Sequence, residues 1–203
     1  MTKPRAIGSV RGPPTPDASR FGGTQLEFLA TKVVPPRYHG LIERPRLLGI
    51  TSQLSTKRLA VIKAPAGFGK TSLAVAWTQE LQRTRNVVAW LTFDRADDES
   101  TTFAFYLCHA LRRASKRLGT AALDLIHESF LFNPRAVISA LINDLADLDE
   151  EIYFFLEDYH WIGNSEIHES LTFFLKHAPS HCHVILTTRT EPDLPLASLR
   201  AQN

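Results

Sequence analysis

The sequence predicts an α/β fold, a parallel sheet with helices on both faces. Strand-length runs at 59–63, 86–92, 152–156 and 183–188 alternate with longer stretches whose apolar residues recur at helical spacing. The runs at 86–92 and 152–156 are apolar almost throughout, as parallel strands buried on both faces are, rather than alternating with polar residues.

Residues 1–30 precede these elements. Pro4, Pro13, Pro14 and Pro16 are interspersed with Gly8, Gly12, Gly22 and Gly23 without periodicity, so a disordered leader is expected. Lys3, Arg5, Arg11 and Arg20 leave a basic nucleic-acid arm open, but they are too dispersed to form a patch. Pro35 and Pro36 keep 31–37 extended. Pro45 opens a short helix with Leu47, Leu48, Ile50 and Leu54 on its apolar side. After the first strand, Ala74, Val75, Trp77 and Leu81 give the buried face of a helix.

Beyond the second strand, Asp97, Asp98 and Glu99 precede a helix capped near Ser100, where negative charge suits the dipole. Phe103, Leu107, Ala110, Leu111, Ala114 and Leu118 mark its buried side. Arg112, Arg113, Lys116 and Arg117 fall in its last turns, as cations favoured at a helix C-terminus or as a nucleic-acid patch. Asn133-Pro134, an N-cap with proline at N1, starts an amphipathic helix reaching about residue 148. Ser165 caps the next helix, with Ile167, Leu171 and Phe174 facing inward, and Pro179 prevents its continuation. Residues 189–203 hold Pro192 and Pro195 and no further strand pattern.

The chemistry concentrates at the ends of the strands. Ala64-Pro65-Ala66-Gly67-Phe68-Gly69-Lys70-Thr71 lies between the first strand and its helix, the context of a phosphate-binding loop. Gly67 and Gly69 permit positive φ. Backbone N–H groups from Ala66 to Ser72 and the helix dipole favour an anion. Lys70 reaches β- and γ-phosphates, and the Thr71 hydroxyl can ligate Mg²⁺. Ala64 departs from the glycine of the general pattern, and Pro65 lacks an N–H, so the cradle begins at Ala66.

Glu157-Asp158 directly follows the third strand, one carboxylate for the metal shell and one for orienting or deprotonating water. Thr187-Thr188-Arg189 ends the fourth, offering hydroxyls and a guanidinium to a γ-phosphate. In a parallel sheet all three motifs meet at the carboxyl ends of the strands, where ligands bind. His177, His181, Cys182 and His183 are adjacent in sequence, but Pro179 and the opposed faces of Cys182 and His183 argue for a polar lead-in to a strand rather than a zinc site.

Composition is that of an ordinary globular domain: 203 residues, 44% hydrophobic, 22% charged, net charge +2. That charge is too mild to imply nucleic acid. Only Cys108 and Cys182 are present, and no signal-peptide core or run of about 18 apolar residues occurs, so a cytoplasmic location is expected.

These motifs together resemble the nucleotide-binding domain of the large ATP-binding, LuxR-family MalT-like regulators, STAND-class P-loop ATPases. The resemblance covers about 31 to the end, through Thr31-Lys32, Pro35-Pro36-Arg37, 41–47 (LIERPRL), the loop at 64–71 (including Ala64), Val88-Ala89-Trp90-Leu91, Leu156-Glu157-Asp158-Tyr159-His160, and 188–196 (TRTEPDLPL). It implies a P-loop NTPase three-layer sandwich with strand order 5-1-4-3-2, of which four strands, in order 1-4-3-2, are visible here and the fifth is missing. It further implies an ATPase domain over 31–203, truncated before the sensor and helix-turn-helix domains. ATP with Mg²⁺ is the implied ligand, bound through Lys70 and Thr71, with Asp158 as catalytic acid, Arg189 as γ-phosphate sensor and Arg44 near the adenine. Glu157 stands at the metal-side position, often Asp in the family, which bears on hydrolysis more than on binding.

The expected function is an ATP-binding, slowly hydrolysing switch domain, a low-turnover ATPase if it is an enzyme. A non-hydrolysing remnant or interaction module is the alternative. Direct DNA binding by this chain is not expected, and no membrane partner is. With the fifth strand missing, the strand at 59–63 becomes an open edge and a site of possible self-association.

Overall fold

The computed structural model describes residues 20–21, 24–38, 45–128 and 132–200. Four strands form one parallel sheet: β1 (Leu59–Lys63), β2 (Val87–Thr92), β3 (Ile152–Glu157) and β4 (Cys182–Thr188). Their order is β1-β4-β3-β2, as expected. Lys63 aligns with Thr188 across the β1/β4 ladder, and Thr92 aligns with Glu157 across β2/β3. β4 therefore brings the ends of β1 and β3 to either side of itself.

Period-two alternation sorts the strand side chains into two cores. Trp90, Tyr153, Phe155 and Ile185 face helix α1 (Lys70–Arg83), meeting Ala74, Val75, Trp77 and Leu81. Ala89, Leu91, Phe154, Leu156, Val184 and Leu186 face the larger layer. That layer is built from α2 (Ser100–Ala114), α3 (Thr120–Glu128), α4 (Pro134–Ala146) and α5 (Ser165–His177). The result is three layers, helix–sheet–helix. Large side chains such as Phe155 and Leu156 are fully buried, and truncating one to alanine would cost about 2–5 kcal/mol. Among the described residues no helix is long and apolar enough to cross a membrane.

Several boundaries differ from the sequence reading. The N-cap of α2 is Glu99, whose carboxylate accepts from the N–H groups of Thr101 and Thr102, while the Ser100 hydroxyl bonds to Glu166. α2 stops at Ala114. Gly119 takes φ 76°, with the Cys108 carbonyl oxygen 2.8 Å from where a Cβ would stand, and the chain turns into α3, which the sequence reading missed. Leu118, expected on α2, is buried through this turn. α4 begins on the predicted Asn133 cap, and the cap of α5 is Asn164 rather than Ser165. The pre-sheet helix is two separate turns, Pro45–Leu48 and Thr51–Leu54. After β4 comes a short helix, Leu196–Arg200.

Most of the expected leader lies outside the described residues; Arg20–Phe21 and Thr24–Gln25 pair as a short antiparallel ladder. Its end, however, packs on α2. Phe28 stacks on Tyr106 with ring centroids 6.1 Å apart, and the Tyr106 hydroxyl donates to the Glu27 carbonyl at 2.8 Å.

Candidate functional site

The loop between β1 and α1 has the backbone its glycines suggest. Gly67 and Gly69 sit at φ 81° and 78°, in the left-handed region that an L side chain resists. Gly69 is also the N-cap of α1 and has no side chain with which to cap it, whereas Glu99, Asn133 and Asn164 cap α2, α4 and α5. The first turn of α1 thus keeps its N–H groups and the positive end of its dipole for something else. Ala66, Gly67 and Phe68 are exposed, Phe68 by 65% despite its aromatic ring. Ser72 is half-buried in the first turn. Lys70 is buried, and its Nζ donates to the Pro65 carbonyl at 3.1 Å, folded back over the loop.

Across the sheet, Glu157 is the last residue of β3 rather than a loop residue, and it is 2% exposed. The Thr71 hydroxyl hydrogen-bonds to its Oε1. Burial, with the neighbouring Asp158 charge adding to it, pushes the Glu157 carboxyl up to about 7, against the pull of the Thr71 bond and Lys70. A hydroxyl, an acid pair and an uncapped helix start form a donor set that fits a divalent cation beside phosphate.

Asp158 has φ 58°, a left-handed conformation unusual for a residue with a side chain. Its N–H donates to the Thr187 hydroxyl at 2.9 Å, which ties the end of β3 to β4. The Thr188 hydroxyl donates to the Thr190 carbonyl at 2.8 Å. Both threonines are fully buried, so these hydroxyls hold the loops rather than face a ligand as the sequence reading expected. Arg189 is exposed, with its guanidinium 5.9 Å from the centre of the Trp161 ring. Arg95, after β2, lies 5.1 Å from the same ring.

The turn Tyr159–Trp161 follows Asp158 and is fixed from below. The Tyr159 hydroxyl pairs with His168 Nδ1 at 2.8 Å, and Asp98 accepts from the N–H groups of Gly163 and Asn164 at 2.8 and 2.7 Å. The sequence reading assigned Asp98 only to the α2 dipole. Its role as an anchor for this turn depends on a contact 65 residues away in the chain, for which the local sequence carries no signal.

The structure therefore brings together the loop, Lys70, Thr71, Glu157, Asp158 and the end of β4 with Arg189, while Arg44 lies outside the described residues. His181 and His183 are engaged elsewhere. His181 Nε2 bonds to the Leu145 carbonyl, and His183 bridges the Lys57 carbonyl and Glu151. Cys182 is buried, its thiol pushed up to about 12 by burial, and among the described residues no group of three or more His, Cys, Asp or Glu gathers as a metal centre.

Residues 39–189 match the family described as Nephrocystin 3, N-terminal. The chain is 36% identical to the HTH-type transcriptional regulator MalT of Vibrio parahaemolyticus over 169 residues. It is 34% identical over the same length to MalT of Yersinia pestis. These alignments cover 83% of this chain but 18% of each relative, so the chain spans less than a fifth of the length of either. Among solved structures, C. elegans PCH-2 is similar at a TM-score of 0.40 and 14% identity, over 76% of this chain and 38% of that one, too loosely to bear on the site. The family match covers most of the chain and identifies it: it belongs to the Nephrocystin 3, N-terminal family, and over 83% of its length it is similar to MalT regulators.

Proposed function

We propose that this chain is the nucleotide-binding switch domain of a MalT-type transcriptional regulator, binding ATP with Mg²⁺ and hydrolysing it slowly. The observation that carries this reading is the Thr71–Glu157 bond. It joins the loop motif to the acid pair across 86 residues of sequence, at the open start of α1. In this reading the N–H groups of Ala66, Gly67, Phe68, Gly69 and Ser72 hold phosphate oxygens, and Lys70 leaves the Pro65 carbonyl for them. Thr71 and Glu157 hold Mg²⁺, which supplies positive charge against the phosphates. Asp158 orients or deprotonates a water, Arg189 meets the terminal phosphate, and Arg44 lies by the base. A cytoplasmic location belongs to the same reading, and the two buried free thiols suit a reducing compartment.

A second reading, a non-hydrolysing interaction module, draws support from Glu157. Burial raises the Glu157 carboxyl, and a carboxyl favoured in its neutral form competes a proton against a bound cation. Self-association through β1, whose outer edge no strand among the described residues pairs, fits either reading.

Titration calorimetry with Mg-ATP tests the site. Lys70→Ala should weaken binding about 10- to 100-fold through loss of a charge-assisted contact. Equal affinity in mutant and wild type removes Lys70 and the loop from the proposal. Measured turnover of labelled ATP by the wild type separates slow hydrolysis from none.

A further inference from the structure

His160 is the polar group of this region that the site as described leaves unused. Its side chain is 9% exposed, and neither ring nitrogen has contact with solvent or a hydrogen-bond partner among the described residues. Buried polar atoms are nearly always paired, and leaving one unpaired costs about 1–3 kcal/mol. The rest of its turn is well tied down: Tyr159 bonds to His168, and the Trp161 and Ile162 N–H groups donate to the Asp158 and Tyr159 carbonyls. The vacancy is confined to the imidazole.

Asp158 lies beside the ring, and the charges of Arg189 and Lys70 act on it. His160 Nδ1 stands 3.5 Å from Asp158 Oδ1, close but outside hydrogen-bonding geometry. Burial first, then the cations Arg189 and Lys70, hold the imidazole below its ordinary range against the pull of Asp158, so the neutral ring is favoured. The ring also lies 5.0 Å from Trp161, whose indole carries the Arg189 guanidinium. A neutral imidazole has one donor and one acceptor. If Nδ1–H serves Asp158, Nε2 is left to accept, and Arg189 is a donor within reach of the same indole.

We infer that His160 is a positioning residue: with nucleotide in the loop, its Nδ1–H closes on the Asp158 carboxylate and its Nε2 accepts from Arg189, so that the water-directing acid and the terminal-phosphate cation are set by one ring. The inference rests on the nucleotide-binding reading above. It accounts for both unpaired nitrogens at once, and it explains why Asp158 is held in a left-handed conformation that keeps its carboxylate beside the ring. His160 touches no reacting atom. It acts through the two residues that do.

The test uses the full 203-residue chain carrying ¹⁵N-labelled histidine and backbone amides. Spectra are recorded alone, with Mg-ADP, and with Mg²⁺ and the β,γ-imido analogue of ATP. The analogue, and not ADP, should convert His160 Nδ1 into a slowly exchanging N–H, and the signal should vanish in Asp158→Ala. By calorimetry, His160→Ala should weaken the analogue about tenfold or more with ADP affinity unchanged within about twofold, as for loss of two hydrogen bonds made only in the triphosphate state. His160→Asn, whose amide nitrogen stands near the place of Nδ1, and His160→Gln, whose amide oxygen can stand near the place of Nε2, should each recover part of that loss and neither all of it. The Asn variant also keeps the question open to measurement if the alanine variant fails to fold. Should nucleotide shift the Gly67 and Gly69 amides while His160 stays unchanged and its variants bind as wild type does, the inference is overturned and the nucleotide site stands. If neither nucleotide moves those glycine amides, the site reading fails and the inference with it.

Discussion

The two edges of the sheet are finished in opposite ways. Along β2 the segment Ala30–Val33 packs as a turn over the edge, with Val33 3% exposed. It is pinned there by Lys32, whose Nζ lies 2.7 Å from both Asp97 oxygens and 2.9 Å from Asp94, with the Tyr106 ring 4.7 Å away. Along β1 no strand among the described residues pairs with the outer side, and Val61 is 36% exposed. Both strands have one hydrogen-bonded neighbour in a parallel sheet, so the difference lies in what the rest of the chain lays against them. A cover of side chains, with one lysine paired to two carboxylates, excludes water from an edge without adding a strand.

The largest expected effect comes from breaking that cover. Asp97 is fully buried, and burial holds its carboxyl above the ordinary range even with Lys32 bonded to it. The Lys32 ammonium, less buried, is held above its own range by the two acids in spite of burial. Lys32→Met leaves Asp97 without a cation and should cost about 3–5 kcal/mol in urea unfolding. The double change Lys32→Met with Asp97→Leu should regain most of it, because the pair itself contributes little net energy once both desolvation costs are counted. Equal losses in the single and double variants would show that the segment is held by packing alone.

This contrast also marks where the sequence was legible. The sheet, α1, α4 and α5 could be read from apolar runs, periodicity and the Asn133-Pro134 cap, because each of those signals is local. The strand order came through family resemblance, and the structure has it. Lys32–Asp97 and Asp98–Gly163 are contacts across 65 residues, and charged residues near a helix start read as dipole partners whether or not they reach elsewhere. α3 was missed for a local reason. Leu118 continues the α2 periodicity through Gly119, so only the glycine's left-handed turn separates the two helices. At the site, residue types and spacing located the loop and acids, but not the burial that raises Glu157 nor the threonine hydroxyls spent on holding loops.

A smaller effect sharpens the covered side. His109 lies between Phe28 and Phe105, with centroids 4.5 and 4.4 Å away, under the end of the segment that covers β2. Burial, then Arg112 and His127, lower its pKa to about 4. A group depressed in the folded state favours folding above its unfolded value of about 6.5, and that contribution is lost as pH falls toward 4. Wild-type stability should therefore fall over this window more than that of His109→Phe, by about 1–2 kcal/mol after discounting for partial exposure. Parallel pH profiles for the two chains would show that His109 stays solvated and that Phe28 does not bury it.

The smallest change in stability is expected at the β1 edge, which no strand among the described residues pairs, and there it says most about the comparison. Val184 N–H donates to the Arg58 carbonyl, and Ala64 N–H donates to the Thr188 carbonyl. Parallel ladders alternate, so the even-numbered residues of β1 turn their backbone groups toward β4, and Leu59, Val61 and Lys63 turn theirs outward. Hydrogen exchange in dilute protein should be slow at Ala60 and Ile62 and fast at Val61. At higher concentration Val61 should become protected as copies pair along the open strand. Val61→Lys places a charge at the centre of that edge. It should shift folding stability by no more than about 0.5 kcal/mol, as surface changes generally do, while raising the concentration at which association begins about tenfold or more. Slow exchange at Val61 in a chain that stays monomeric at micromolar concentration would mean that the β1 edge is covered as fully as the β2 edge, and the contrast between them would be gone.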